Sequence, residues 1–146
     1  MTKDWVSPEE NKAKKDAYYS KLLNDTNRSL TYYWQQARKG ARDRKIDFSI
    51  TADDIISLWT KQQGVCKLSN IPMTLTHGTL RSQNPTKVSF DRIDNSKGYH
   101  VGNIQLVTWQ VNCAKSVWST DQLVELCISI TEKALMNKLK ELDKSS

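Results

Sequence analysis

Two side chains with oxygen donor atoms, Asp91 and Asn112, stand near the ends of short predicted elements in the second half of the chain. A bound Mg²⁺ takes few protein ligands, mainly oxygens, and keeps waters and substrate phosphates in its shell. Such an ion neutralises phosphate charge and stabilises a leaving 3′ oxygen during phosphodiester hydrolysis. Both residues are therefore candidate ligands for Mg²⁺ or Mn²⁺. The alternative is that Asp91 serves a turn or an ion pair and Asn112 caps a helix, which is the simpler interpretation of the two residues alone.

The elements that must position these donors can be read from the surrounding residue pattern. Alternation of apolar and polar residues at 88–90 predicts a short strand that ends at the carboxylate. Asn and Gly at 95–98 favour a turn, because both tolerate positive φ. Branched apolar residues at 104–107 predict a second strand, and the β pattern fades from Trp109 onward. The order predicted is strand, loop, strand, helix, with polar residues at each junction.

Residues 91–115 read D-R-I-D-x-x-x-G-Y-x-x-G-N-x-Q-x-V-x-x-x-V-N-x-x-K, and residues 66–73 read C-K-L-S-N-I-P-M. This pattern resembles the ββα-metal core of HNH endonucleases, over roughly half of the chain. The resemblance implies an α+β fold with flanking helices and metal-dependent hydrolysis of DNA. It also implies that Asp91 and Asn112 hold the metal and that Asn103 ties the loop between the strands by hydrogen bonds. Free-standing homing or phage-type nucleases and small restriction enzymes are the members that this chain is most similar to.

Arg92 departs from the pattern, because most members of the family that it resembles carry the general-base histidine there. A guanidinium stays protonated, so it cannot take a proton from water, although it can clamp a phosphate. Some members are similar to this chain in having Arg here, and nuclease activity therefore stays open. His100 and Tyr99 in the same loop are the candidate bases, with His77 a weaker one. The alternatives are an exposed loop histidine and a packed tyrosine. A non-cleaving DNA-binding module of the same fold is the second hypothesis for the whole chain.

The net charge of +6, from 22 Lys and Arg against 16 Asp and Glu, favours an anionic partner, and double-stranded DNA is the expected one. Five basic residues within eight positions predict a patch that contacts the DNA backbone: Arg38, Lys39, Arg42, Arg44 and Lys45. Such contacts release counterions and give salt-sensitive binding. Lys97 and Lys115 are predicted to add phosphate contacts. A solubilising surface is the alternative for all of these residues.

The chain is expected to divide into a basic helical extension at 1–48 and a nuclease-like core with a closing helix at 49–146. Helices are predicted from Ser7, from about Ser29, from Thr51 and from Ser119, and the last is expected to pack on the core through its apolar side. The extension is a candidate targeting arm or homodimer surface.

Other features bound the cellular setting and the metal content. No run approaches the ~20 apolar residues of a spanning helix, and residues 1–8 lack a signal-peptide core, so an intracellular protein without a membrane partner is expected. The three cysteines form no C-x-x-C pair, and a structural zinc site is therefore not expected.

Overall fold

The computed structural model describes residues 7–77 and 84–144 of the chain, with the side chains of Leu23 and Lys144 left aside. Most of the predicted loop at 77–85 lies outside these residues. The described part is α+β, as predicted, with five helices and a two-stranded antiparallel sheet. In chain order the elements are α1 Pro8–Leu23, α2 Thr26–Asp43, α3 Ala52–Lys61, β1 Val88–Arg92, β2 Ile104–Thr108, α4 Trp109–Lys115 and α5 Thr120–Lys144.

Local capping fixes where the first helices begin. The Ser7 hydroxyl accepts a hydrogen bond from the Glu10 amide at 3.1 Å, so α1 starts as predicted. Helix α2 starts earlier than predicted, because the Asp25 carboxylate accepts from the Arg28 amide at 3.1 Å. Side-chain oxygens at the N-cap satisfy amides that would otherwise have no partner. Helix α2 therefore begins at Thr26, three residues before the predicted start near Ser29.

The sheet separates two environments. β1 pairs with β2 so that Phe90 lies opposite Leu106 and Asp91 lies opposite Gln105. Because strand side chains alternate between faces, Phe90 and Leu106 enter the core while Asp91 faces α4. The strand, strand, helix order at 88–115 is the one predicted from the sequence.

The core joins α2 and α3 to the sheet. Leu30 and Ala41 of α2, Ile55 of α3, and Leu106 and Val107 of β2 are fully buried and belong to one apolar cluster. Burial of a Leu or Ile side chain stabilises a fold by about 1.5–3 kcal/mol. Helix α2 thus contributes to the same core as α3 and the sheet.

Helix α5 was predicted to pack on the core through its apolar side, but only its beginning does so. Leu123 in its first turn is buried, whereas Val124, Ile128, Leu135 and Leu142 are 49–63% exposed. The helix contacts α4 near its start and continues away from the core, which leaves its apolar side open beyond the first turns. Among the residues that the structure describes, none of the helices is long and apolar enough to cross a membrane.

The loop between the strands is fastened to the segment that follows α2. The Tyr99 amide donates to the Asp47 carbonyl at 2.8 Å, and the Ser49 amide donates to the Tyr99 carbonyl at 2.8 Å. Phe48 and Tyr99 form a parallel bridge, and their rings lie 5.3 Å apart. This close approach leaves no room for a side chain at Gly98, where a Cβ atom would lie 2.5 Å from the Asp47 carbonyl oxygen.

We therefore expect Gly98→Ala to lower the free energy of unfolding by about 1–3 kcal/mol, the range for overpacked sites. Gly40→Ala is the control, because a Cβ there would meet nothing closer than Arg44 Nη2 at 3.9 Å. Replacing a helix-interior glycine should stabilise by roughly 0.5–1 kcal/mol. Urea unfolding of both variants measures the difference, and equal stability of Gly98→Ala and the parent chain would show that the loop is not tightly fastened.

Candidate metal and nucleic-acid site

A buried ion pair lies at the centre of the candidate site. Lys115 is fully buried and Asp91 is 3% exposed, with 3.1 Å between Nζ and Oδ1. Lys115 Nζ also donates to the Arg92 carbonyl at 3.0 Å, and Gln105 Nε2 donates to Asp91 Oδ2 at 2.8 Å. Both carboxylate oxygens and the ammonium are thus hydrogen-bonded, which is what makes burial of two charges tolerable.

The sequence folds this way because two periodicities coincide. Alternation along β1 places Ser89 and Asp91 on the side that faces α4. Positions three apart share a helix face, so Asn112 and Lys115 of α4 point toward the same two strand residues. Asn112 Nδ2 donates to Ser89 Oγ at 2.8 Å. The Thr108 hydroxyl caps α4 by accepting from the Val111 amide. The two predicted metal ligands therefore lie on one side of the sheet, on adjacent elements.

Asp91 and Asn112 carry oxygen donors of the kind that a hard divalent cation takes, although both oxygens of Asp91 already accept hydrogen bonds. Asn112 spends its amide nitrogen on Ser89, which leaves Oδ1 as the atom that can face a metal. The Asp91 carboxylate already has a positive charge beside it, because the Lys115 ammonium lies 3.1 Å from Oδ1. Oxygen donors of this kind suit Mg²⁺ or Mn²⁺. Among the described residues, no three His, Cys, Asp or Glu cluster as a metal site. A metal would thus rest on one carboxylate and one amide, and it would replace the ammonium.

A cleft of about 310 Å³ opens beside Asn112, between α2, β1 and α4. Its polar lining includes Ser89, Asn112 and Arg44, and Tyr33 and Tyr99 add aromatic walls. Arg44 Nη2 donates to the Tyr99 hydroxyl at 3.3 Å, and Arg44 Nε donates to the Gly40 carbonyl at 2.9 Å. These bonds hold a guanidinium at the edge of the cleft, where it can attract an anionic phosphate.

Arg92 is used to hold the loop between the strands. Its Nη1 donates to the carbonyls of Asn95 and Lys97, at 2.9 and 2.7 Å, and its guanidinium lies 5.5 Å from the Tyr99 ring centroid. Asn103 ties the same loop, as its resemblance to the family implied. Its Oδ1 accepts from the Asp94 amide, and its Nδ2 donates to the carbonyls of Asp94 and Gly98. Both residues therefore fix the backbone of the loop between β1 and β2.

The two candidate bases in this loop have different surroundings. Tyr99 is buried against Phe48 and lines the cleft, and its hydroxyl already accepts from Arg44. His100 is partly exposed, with Nδ1 3.2 Å from the Val101 carbonyl. Since a carbonyl only accepts, Nδ1 carries the hydrogen and Nε2 keeps its lone pair. His100 is not among the described residues that line the cleft.

The predicted DNA-binding lysines and arginines divide into three locations. All five members of the predicted patch are exposed, but Arg44 faces the cleft while Arg38, Lys39 and Arg42 line a groove elsewhere on α2. Lys45 follows the helix with a positive φ of 56°. The five predicted DNA-binding residues are therefore exposed but do not share one surface, and their contact with DNA stays a prediction.

The two isolated lysines differ from one another. Lys97 pairs with Asp94 at 3.1 Å. Because its side chain is exposed, a phosphate can still reach it. Lys115 is fully buried against Asp91, and the predicted phosphate contact is wrong for this arrangement. Its ammonium cannot reach solvent, because the sheet and α4 enclose it. The sequence did not reveal the partner role of Gln105, although this residue belongs to the motif.

Comparison with known proteins finds no family model that matches the chain and no curated protein with significant sequence similarity.

His77, the weakest of the candidate bases, lies in a different environment. The Ser29 hydroxyl donates to the Leu22 carbonyl at 2.6 Å, so it must accept from His77 Nε2 at 2.9 Å. The ring is then neutral, and its buried Nδ1 has no partner among the described residues. Burial, and secondarily the charge of Lys87, lower the pKa of His77 below its usual 6.5. Its ring stacks on Tyr19 at 5.7 Å, which makes it a packing residue.

This environment makes stability depend on pH. The native state disfavours protonated His77, whereas the unfolded chain takes up the proton near pH 6.5. The stabilisation from the neutral ring is thus complete above about pH 6.5 and is lost as the pH falls below that value. We expect the free energy of unfolding to decrease between pH 7.5 and 5.5. His77→Gln should flatten this profile and His100→Gln should retain it, as measured by urea unfolding. A profile that His77→Gln leaves unchanged would contradict the assignment.

Proposed function

We propose that the chain is a DNA endonuclease of the HNH type, with β1, β2 and α4 as its catalytic unit. The observation that carries the proposal is the buried cation position beside Asp91. It is occupied by the Lys115 ammonium and lies on the same side of the sheet as Asn112, which is the member of the pair that lines the cleft. The strand, strand, helix order and the positively charged edge of the cleft also support it. A basic chain of net charge +6 suits a DNA substrate.

Each residue of the proposed site would contribute to one part of phosphodiester hydrolysis. Asp91 and Asn112 would hold a divalent ion, which when bound neutralises the phosphate charge and stabilises the leaving 3′ oxygen. Arg44 would bind a non-bridging phosphate oxygen through its N–H groups. Water attacks phosphorus and the P–O3′ bond breaks. The products are a 5′-phosphate and a 3′-hydroxyl, the latter taking its proton from solvent.

Activation of the attacking water needs a proton acceptor. Arg92 cannot serve, because a guanidinium stays protonated, and the Tyr99 hydroxyl is buried and bonded to Arg44. We take His100 as the base, since its Nε2 lone pair is available in the tautomer that the Val101 carbonyl selects; because His100 does not line the cleft, the substrate must extend from the cleft to this loop. Asn103 and Arg92 fix the loop that carries it.

A second function, DNA binding without cleavage, is favoured by one observation. Both oxygens of Asp91 already accept hydrogen bonds, from Lys115 and from Gln105, so the buried carboxylate is satisfied without a metal. If the ion pair is permanent, the same fold would bind DNA through its exposed basic residues alone.

Supercoiled-plasmid cleavage tests the proposal directly. We expect nicking or linearisation with Mg²⁺ or Mn²⁺ and none with EDTA. Asn112→Ala should lower the rate by about 100-fold, because it removes a metal donor. The matched control is Asn137→Ala on the exposed part of α5, which should cleave normally. Cleavage that survives Asn112→Ala would contradict the site. Absent cleavage with intact gel-shift binding would establish the second function.

Replacing Lys115 tests whether its ammonium occupies a metal position. Lys115→Met should cost about 3–5 kcal/mol without metal, because it leaves a buried carboxylate without its counter-charge. We expect Mg²⁺ or Mn²⁺ to restore part of that loss, which appears as a larger rise in unfolding temperature than in the parent chain.

Lys97→Met is the control for this experiment. It breaks an exposed pair that contributes about 0–1 kcal/mol, and its unfolding temperature should respond to metal as the parent does. A Lys115→Met chain that divalent ions do not stabilise would show that the position beside Asp91 accepts an ammonium and no metal.

A further inference from the structure

A second groove of about 670 Å³ lies between α2 and the segment that follows it. Its apolar wall is formed by Trp34, Ile46 and Phe48, and its rim carries three exposed cations, Arg38, Lys39 and Arg42. The proposed cleavage chemistry uses none of these residues.

The groove and the cleft lie on different sides of α2. The cleft takes Tyr33, Ala37, Gly40 and Arg44 from this helix, which recur every three or four positions and share one face. At 3.6 residues per turn, Arg38 and Arg42 fall on roughly the opposite face. An α-helix with its side chains is about 10–12 Å across. A nucleic acid that occupies the cleft therefore leaves the groove for another segment.

The aromatic wall of the groove is held in place before any ligand binds. The Trp34 indole N–H donates to the Ile50 carbonyl at 2.9 Å, and its ring lies 6.3 Å from that of Phe48. The Arg38 guanidinium lies 5.4 Å from the Trp34 ring centroid, a cation–π contact that keeps the charge at the rim. The surface thus places aromatic rings beside exposed cations, of which Arg38 is held by Trp34.

We propose that this groove binds an unpaired strand of nucleic acid, with a base against the aromatic wall and its phosphates on Arg38, Lys39 and Arg42. Grooves that combine tracking cations with aromatic faces bind single strands, because every base has a face that stacks. A duplex keeps its bases inside and would meet the rim only, leaving the apolar wall uncovered. The inference requires a nucleic-acid ligand, but it does not depend on cleavage in the other site.

One charge in the groove has the opposite sign. Asp47 is exposed and lines the groove, so its carboxylate repels a bound phosphate. Its backbone carbonyl, which accepts from Tyr99, is untouched by a change of side chain. Asp47→Asn should therefore strengthen binding about 2–3-fold, whereas removal of the rim cations weakens it.

Fluorescence anisotropy with labelled DNA tests the inference. The probes are a ~12-nucleotide oligo(dT), an oligo(rU) of equal length and a blunt duplex, each over a range of salt. We expect Arg38→Ala/Arg42→Ala to weaken oligo(dT) binding by about 10-fold or more and to reduce its salt slope by up to ~2. Lys133→Ala/Lys140→Ala on exposed α5 is the charge-matched control and should bind as the parent does.

Phe48→Leu separates stacking from charge, since it keeps an apolar side chain and removes the ring. It should weaken binding of oligo(dT) by about 5-fold or more and leave duplex binding unchanged. Circular dichroism and thermal unfolding verify that the variant is folded; if it is not, Asp47→Asn provides the independent measurement. Equal loss for both probes, or an unchanged oligo(dT) affinity in the Arg38→Ala/Arg42→Ala chain, would overturn the inference.

The remaining comparisons identify the ligand and the site. Weaker binding of oligo(rU) than of oligo(dT) assigns the groove to DNA, and equal binding assigns it to either strand type. Asn112→Ala should leave oligo(dT) affinity unchanged, so a failure of the cleavage proposal and a failure of this one give different results.

Discussion

The buried pair of Asp91 and Lys115 is the interaction on which the arrangement of the sheet and α4 depends. Two opposite charges withdrawn from water lose hydration worth several kcal/mol each, and only close pairing with full hydrogen bonding offsets that loss. Here the pair is completed by Gln105 of β2 and the Arg92 carbonyl of β1. Three elements therefore have to meet in one register. A shift of β1 by one residue would turn the carboxylate away from α4 and leave the ammonium alone.

The loop between the strands depends on the same register. Arg92 follows Asp91 in β1, so its side chain lies on the opposite face of the sheet. Its guanidinium donates to the carbonyls of Asn95 and Lys97 in the loop. Asn103, the residue before β2, closes the loop by hydrogen-bonding the backbone of Asp94 and Gly98. Tyr99 is thereby pressed against residues 47–49 and meets Arg44 at the end of α2. The shape of the cleft thus follows from bonds made at both ends of one hairpin.

Much of this structure could be predicted from the sequence where its causes are local. Helix starts at Ser7 and Thr51 rest on side chains that bond amides three residues away, and such caps can be read directly. The strands and the role of Asn103 followed from the motif. Lys115 was misjudged because its partner lies 24 positions earlier, so burial of the ammonium depends on how α4 packs on β1. Amphipathic pattern alone could not show that α5 leaves the core after its first turn.

The basic segment of α2 shows why charge density does not define a surface. Three of the five cations, Arg38, Lys39 and Arg42, lie on α2 and spread around it at 3.6 residues per turn, while Arg44 and Lys45 follow its last residue. Which of them meets a given ligand depends on what else the helix packs against. The face of α2 with the small residues Ala37 and Gly40 lies along the cleft, and Arg44 lies on the same side. The cations on the other side of the helix line the groove. Because α2 carries residues of both surfaces and is anchored in the core by Leu30 and Ala41, the core fixes the distance between cleft and groove, and a strand bound in the proposed groove would lie at a constant offset from the cleft.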